Sequence, residues 1–263
     1  MVVAVVFSLF PFYWTLNASF HPERELYSRE GVSPWPDFTY LQNYIDIIHK
    51  KHFLVYLGNS FLVAGTTTVL ALSVAVGAAY ALSRLPFRPA PQVLALVLMV
   101  SMFPGIAIIS PLYLFVRDLH ILNTYLALII PYMALTLPFG IWNLNAFFRE
   151  LPREIDESAE IDGASPMTIL YRILLPLITP GLFTTAILMF IFAWNEFLFA
   201  VTFISKEGMK TVPLGIASLP SEYQVPWGQI SAAAVIATLP LVILVFALQR
   251  RIIAGLTAGS VKG

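Results

Sequence analysis

The amino-acid sequence predicts an all-α integral membrane protein with six transmembrane helices. Of its 263 residues, 58% are hydrophobic and only 11% are charged, whereas a soluble domain is about 25% charged. The mean hydropathy is +0.79, and the apolar residues are gathered into long blocks rather than spaced as in amphipathic helices. A lipid bilayer explains this distribution better than the core of a large soluble domain does.

Six apolar stretches are each long enough to cross a bilayer, which takes about 20 residues of helix. Only one formal charge, Glu196, falls inside them. We therefore interpret residues 1–263 as a single transmembrane domain. In chain order the predicted spans are 1–20, 56–83, 92–116, 124–148, 177–204 and 230–248.

Prolines interrupt several of the predicted spans. Pro104 and Pro111 lie in the third, Pro131 and Pro138 in the fourth, and Pro240 in the sixth. Each proline frees a backbone carbonyl that hydrocarbon cannot satisfy, so the kinked helices are expected to face protein or a water-lined path. This pattern favours a helix bundle with a route through it.

The loops between the spans set the predicted orientation. If the spans alternate across the membrane, residues 21–55 and 205–228 form loops on one side, and residues 149–176 and 249–263 lie on the other. The two sides carry nearly equal numbers of arginines and lysines. On the second side these basic residues sit in shorter segments close to the helix ends, where the positive-inside rule has most force. We therefore expect 149–176 and 249–263 to be cytoplasmic and the other two loops to be extracytoplasmic.

The composition excludes several classes of function for this chain. It contains no cysteine, which excludes disulfides, thiol catalysis and cysteine-ligated metals. Acidic and basic residues both number 15, so no basic surplus points to a nucleic-acid partner. Because the four histidines lack metal-ligand spacing and no phosphate-binding loop or nucleophile elbow is present, we expect no catalytic residue, no metal and no cofactor bound by this chain, and no ATP hydrolysis by it.

The polar segment 149–176, after the fourth span, predicts two short helices joined by a tight turn. The acids Glu154, Asp156 and Glu157 complement the N-terminal dipole of the first helix. Gly163 supplies the left-handed residue that ends this helix.

The second helix of the segment begins at Ser165, which caps it, with Pro166 in the first position. It is expected to end at about Leu174, before Pro176. The result is a helical hairpin that projects from the membrane and can seat in a cleft of a partner. An interfacial amphipathic helix that merely connects two spans is the alternative, and the pattern alone leaves it open.

The same segment resembles the EAA loop of ABC importer permeases. The run Glu157-Ser158-Ala159-Glu160-Ile161-Asp162-Gly163-Ala164 and the later Leu175-Pro176 have the spacing of its Glu-Ala-Ala, Gly and Leu-Pro pattern. Ser158 stands where that family usually has Ala, and Leu170 where it often has Phe. The resemblance implies that the hairpin is a coupling helix docked in a groove of an ATPase subunit. The residues it assigns to this docking are Glu157, Ser158, Ala159, Asp162, Gly163, Ala164 and Pro166.

Three further stretches, 192–198, 227–233 and 249–263, resemble the MalG-type carbohydrate-uptake permeases of maltose and trehalose importers. This resemblance implies a type I importer fold with six transmembrane helices in a prokaryotic plasma membrane. It also implies four kinds of partner: a second permease subunit forming a heterodimer, two ATPase subunits that bind ATP and Mg, an extracytoplasmic sugar-binding protein or lipoprotein, and the bilayer.

The substrate that the resemblance implies is a sugar, with a disaccharide such as trehalose or maltose foremost. Glycerol phosphate and other oligosaccharides are alternatives. A secondary transporter without ATPase partners is a further alternative. It is disfavoured because ion coupling calls for several charges within the membrane, and only Glu196 is found.

Polar residues inside the predicted spans are the candidates for the translocation path, namely Asn143, Asn195 and Glu196. A carboxylate within a span faces a cavity or a partner because exposure to lipid is costly. Glu196 has two open interpretations: a structural bond within or between permease subunits, and a role in substrate binding or gating. Asparagines likewise either bind sugar hydroxyls or join helices. Trp35 and Trp227 fall in the extracytoplasmic loops and are candidate contacts for the binding protein.

Overall fold

The computed structural model describes residues 2–29, 31–221 and 224–258, with side chains from residue 3 to residue 248, and these residues contain helices but no β-strand. The all-α prediction is confirmed. The helices are α1 Val2–Ser19, α2 Glu23–Leu26, α3 Gln42–Ile45 (continued by a π-turn, Asp46–Lys50), α4 Phe53–Arg84, α5 Ala90–Ser101, α6 Gly105–Asp118, α7 Leu126–Glu150, α8 Glu154–Ile161, α9 Pro166–Leu177, α10 Thr179–Asn195, α11 Leu198–Phe203, α12 Val212–Ala217 and α13 Trp227–Ala258.

Among the described helices, three are long and apolar enough to cross a membrane as single rods: α4, α7, and α13 over Trp227–Leu248. Two further crossings arise if bent pairs are counted, α5 with α6 at 88° and α9 with α10 at 83°. The first predicted span corresponds to α1, which is apolar but only 18 residues long. Each predicted apolar stretch is thus helical, but two of them are not single helices.

The third predicted span, 92–116, is bent sharply at Pro104, one of the two prolines predicted to kink it. Helix α5 ends at Ser101, and Pro104 has an extended backbone (ψ 123°) immediately before α6. Proline disfavours helical geometry in the residue before it and donates no hydrogen bond. By contrast, Pro111 lies inside α6.

The fifth predicted span, 177–204, is broken, and the expectation of a continuous helix there is wrong. Helix α10 ends at Asn195, and Glu196 has an extended backbone with ψ 129°. Helix α11 then begins two residues later, at Leu198. Glu196 therefore lies at a junction between two helices and not within one.

The chain forms two compact units, with boundaries inside α4, after the end of α11 and inside α13. Unit 1 consists of Met1–Phe61 and Ile204–Ile243. Its loops are joined by side chains that bond to distant backbone. Asn43 Nδ2 donates to the carbonyls of Ser19 and His21 at 3.0 and 2.9 Å. We call residues 21–59 and 205–228 of this unit the loop cluster.

Unit 2 consists of Leu62–Phe203 and Leu244–Gly263. Its described part has a hydrophobic core between α4, α7 and the segment after α7. Tyr80 and Phe148 meet edge to face there, with ring centroids 6.0 Å apart. The buried members of this core are Ala75, Val76, Ala79, Tyr80, Leu144, Phe148, Ala159, Ile169, Leu170, Leu174 and Ile178. Of the predicted tail 249–263, the side chains and residues 259–263 lie outside the described part of the chain.

Candidate functional site

The predicted hairpin is present in unit 2 as α8 and α9, joined by a turn at Gly163. This glycine has φ +81°, a left-handed conformation that residues with a Cβ adopt only at a cost. Its N–H donates to the carbonyl of Glu160 at 3.0 Å, and the next N–H, of Ala164, donates to the carbonyl of Ala159 at 2.9 Å. These bonds form a Schellman-type helix end, and the prediction that Gly163 terminates the helix is confirmed.

The second helix begins as predicted but ends later. The Ser165 Oγ accepts the N–H of Thr168 at 3.3 Å, and Pro166 follows as the first helical residue. The helix continues through Pro176 to Leu177, so the expected end at about Leu174 is wrong. A π-turn over Ile169–Leu174 is followed by a last α-helical turn, Leu175–Leu177, and Pro176 lies in the first positions of that turn, where its missing N–H costs little.

One face of the hairpin is buried against the bundle. Ile169, Leu170 and Leu174 of α9 are almost completely buried in the core of unit 2. Burial of each such side chain is worth about 1.5–3 kcal/mol, so the hairpin is fixed to α4 and α7. Ala159 belongs to this buried face, which sets it apart from the other residues assigned to docking.

The opposite face of the hairpin is acidic and apolar. Glu157, Ser158, Asp162, Gly163 and Pro166 are exposed, and Ala164 is half-buried. The exposed face therefore contains most of the predicted docking residues.

Sequence reasoning missed the apolar part of this exposed face. Ile161 and Met167 are 88% and 66% exposed, and Tyr171, one helical turn after Met167, is also exposed. The signal was available in α8, because Ile155 and Ala159 are one turn apart on the buried face and Ile161 falls on the other side of the helix. Apolar side chains exposed among acids are typical of a protein-binding surface.

Of the three candidate residues of the translocation path, Asn143 lies apart from Asn195 and Glu196, which are neighbours in sequence. Asn143 of α7 donates through Nδ2 to Thr185 Oγ1 of α10 at 2.7 Å, which joins the two helices. Asn195 is exposed and donates to the carbonyl of Ile191 at 2.8 Å. Thr185 and Asn195 are about 15 Å apart along α10, at 1.5 Å per residue.

Glu196 caps the start of α11 at the break between α10 and α11. Its Oε1 accepts the N–H of Phe199 at 3.0 Å, and its Oε2 lies 3.4 Å from the N of Ala200. A carboxylate in this position caps the first turn of a helix and satisfies donors that have no partner inside that helix. This geometry supports the structural interpretation of Glu196.

The loop cluster of unit 1 contains the two tryptophan candidates. Trp35 is 76% exposed, and Trp227 is exposed at the start of α13. Next to Trp227, the N–H of Gly228 donates to Glu23 Oε1 at 2.8 Å. A Cβ on Gly228 would lie 2.5 Å from Asn43 Nδ2, so any larger residue there would require Asn43 to shift. Within the described ranges, no three histidine or carboxylate side chains are placed to hold a metal ion.

Comparison with known proteins places these features in a family context. The family model described as "Binding-protein-dependent transport system inner membrane component" matches residues 68–257. The fold is similar to that of a chain in the crystal structure of a bacterial ABC transporter involved in the import of the acidic polysaccharide alginate. The TM-score is 0.78 at 20% identity, covering 94% of this chain and 92% of that one.

Several relatives match over nearly the full length. The chain is 41% identical to the trehalose/maltose transport system permease protein MalG of Thermococcus litoralis, covering 100% of this chain and 94% of the relative. It is 39% identical to the sulfoquinovosyl glycerol transport system permease protein SmoH of Agrobacterium fabrum, covering 99% and 91%. It is 36% identical to the trehalose transport system permease protein SugB of Mycobacterium tuberculosis, covering 99% and 95%.

Proposed function

The chain belongs to the family of binding-protein-dependent transport system inner membrane components, and from this premise we propose that it is the permease subunit of an ATP-driven sugar importer. The observation that carries the proposal is the hairpin of unit 2. Its inner face is fixed to α4 and α7, and its outer face presents Glu157, Ile161 and Met167 to solvent. This arrangement suits a plug that receives force from a separate motor protein.

The proposed transporter contains this chain, a second permease subunit, two ATPase subunits and an extracytoplasmic sugar-binding protein, in a prokaryotic plasma membrane. ATP and Mg are bound by the ATPase subunits. These subunits close on each other when they bind ATP, and the hairpin seated in one of them moves with it. The bundle then changes from inward-facing to outward-facing, and hydrolysis in the ATPase subunits resets it. In this scheme the chain contributes part of the translocation path and, through the hairpin, the mechanical link to an ATPase subunit. It contributes no catalytic group.

The proposed substrate is a disaccharide such as trehalose or maltose, supported by the names of relatives at 41% and 36% identity. A relative at 39% identity is named for sulfoquinovosyl glycerol, which favours a sugar conjugate as the second candidate. Calorimetric titration of the cognate binding protein with trehalose, maltose and a sulfoquinovosyl glycoside separates the two candidates.

The experiment that tests the function is ATP-dependent uptake by the complete complex in proteoliposomes. Two hairpin variants are compared, Glu157→Lys, which reverses an exposed charge, and Gly163→Val, which places a β-branched residue at φ +81°. The matched control is Gly31→Val in the loop cluster. Gly31 has φ +83°, and as at Gly163 no atom lies within 4 Å of an added Cβ.

We expect both hairpin variants to reach the membrane but to lose the ATPase subunits on purification and to lose uptake. Gly31→Val carries the same local backbone strain, on the order of 1–3 kcal/mol, and should retain the ATPase subunits. Wild-type uptake by both hairpin variants would show that the hairpin is not the coupling element. Uptake that needs no ATPase subunit would instead support a secondary transporter.

A further inference from the structure

The last residue of α4, Arg84, has a side chain that is only 4% exposed. A guanidinium group keeps its positive charge at all physiological pH values, so burying it requires partners for its donors. The neighbouring arginines of the described part differ in this respect, because Arg88, Arg149, Arg153 and Arg172 are all exposed. Arg84 is therefore set apart by its surroundings.

Its partners come from two other elements. Nη1 donates to Asp156 Oδ2 of α8 at 2.7 Å. Nη2 donates to the carbonyl of Leu151 at 2.6 Å and also to the carbonyl of Phe148 at the end of α7. The last carbonyls of a helix lack partners within it and carry partial negative charge, which a cation satisfies. A single side chain thus joins the ends of α4 and α7 to the first helix of the hairpin.

Stability alone is a poor explanation for this arrangement. Among the described residues, Arg84 Nε and Asp156 Oδ1 are buried without a hydrogen-bond partner. Buried ion pairs with unsatisfied atoms are often no more stabilising than well-packed apolar residues. The hairpin also has a hydrophobic core of its own with α4 and α7. What the planar guanidinium adds is a fixed orientation between the segments it joins, since its N–H donors form a rigid fork.

We propose that Arg84 is a positioning residue that makes the hairpin move as one body with the ends of α4 and α7. Without it, the hairpin still docks on the ATPase subunit, but part of its movement is lost before it reaches the spans. The inference rests on the proposed function, and it concerns transmission of the stroke, not docking. It predicts ATP hydrolysis that is poorly coupled to uptake.

The test is the number of sugar molecules imported per ATP hydrolysed by the complete complex in proteoliposomes with saturating binding protein. Arg84→Gln removes the charge and the fork, Arg84→Lys keeps the charge, and Asp156→Asn removes the anion from the hairpin side. The control is Arg88→Gln, which removes an exposed arginine four residues further on.

We expect Arg84→Gln and Asp156→Asn to form complexes that hydrolyse ATP but import about tenfold less sugar per ATP, within the range of known coupling effects. Arg84→Lys should recover only part of the ratio, because its ammonium keeps the charge without the fork, and Arg88→Gln should match the unmodified complex. If Arg84→Gln fails to assemble, Asp156→Asn decides the matter, because it keeps a side chain of the same shape.

Two results overturn the inference separately from the proposed function. An unchanged ratio in Arg84→Gln and Asp156→Asn, including a case where complexes are merely less abundant, would show that Arg84 has a structural role only. An equal loss of imported sugar per ATP in Arg88→Gln would show that the ratio depends on positive charge in general and not on the contacts of Arg84. Absence of ATP-dependent uptake in the unmodified complex would instead remove the proposed function, and this inference with it.

Discussion

The hairpin of unit 2 and the loop cluster of unit 1 are built by different kinds of interaction. The hairpin depends on short-range features, the left-handed Gly163 and the Ser165 cap, and on an apolar face. In the loop cluster, Gly228 bonds to Glu23 across 205 positions of sequence. Tyr27 likewise bonds to the carbonyl of Val225 across 198 positions. The hairpin is thus encoded locally, whereas the loop cluster forms only when distant segments meet.

The largest effect on stability is expected in the core under the hairpin. Leu170 is 2% exposed, and Leu170→Ala should lower the free energy of unfolding by about 2–5 kcal/mol, because it removes apolar contacts and leaves a cavity. The neighbouring Tyr171→Ala changes an exposed residue and should stay within about 0.5 kcal/mol. Thermal unfolding in detergent measures both. Equal losses of unfolding free energy in the two variants would contradict the finding that only one face of the hairpin is buried.

The next largest effect is expected at the close contact in the loop cluster. Gly228→Ala should cost about 1–3 kcal/mol from overpacking, because Asn43 is held by its bonds to Ser19 and His21 and cannot move aside. Gly208→Ala is the matched control, with no atom within 4 Å of an added Cβ. The same unfolding measurement applies. Tolerance of alanine at position 228 would mean that the cluster is loosely packed.

A smaller effect is expected at the break between α10 and α11. Glu196→Ala removes the acceptor for the Phe199 N–H and should cost about 1 kcal/mol. Glu196→Gln keeps a carbonyl oxygen as acceptor and should retain both stability and uptake. A variant with glutamine that is stable but inactive would show that the charge itself is needed, and would favour the gating interpretation.

The smallest effect is expected from acid at the loop cluster. The Lys210 ammonium and then the Tyr56 hydroxyl hold the pKa of Glu207 below its ordinary value of 4.5. A depressed pKa in the folded state means that the carboxylate stabilises the protein above pH 4.5, and that this contribution disappears as the pH falls through the folded pKa. Because Glu207 is exposed, the contribution is small.

Glu207→Gln should therefore unfold at a slightly lower temperature than the unmodified protein near pH 7, and the difference should disappear as the pH falls below 4.5 through the lowered pKa of Glu207. A difference that persists unchanged in acid would contradict the ion pair with Lys210.

The contrast between the two regions explains how much could be predicted from sequence. Gly163 and Ser165 were predicted because each residue type reports a local backbone geometry. The kink at Pro104 was predicted from the proline itself. The break at Glu196 was missed because hydropathy reports whether a segment favours lipid or water and not which hydrogen bonds interrupt its helix. The burial of Arg84 required a partner 72 positions away, which no local pattern specifies.

Cross-linking tests whether the exposed face of the hairpin docks on a separate ATPase subunit. The chain has no cysteine, so Ile161→Cys carries a single reactive site for a short bifunctional cross-linker in assembled complexes in membranes. We expect this site to cross-link to the ATPase subunit, whereas Thr39→Cys, at an exposed position of the loop cluster, should not. Cross-links from position 161 only to lipid or to the permease subunits would contradict this docking.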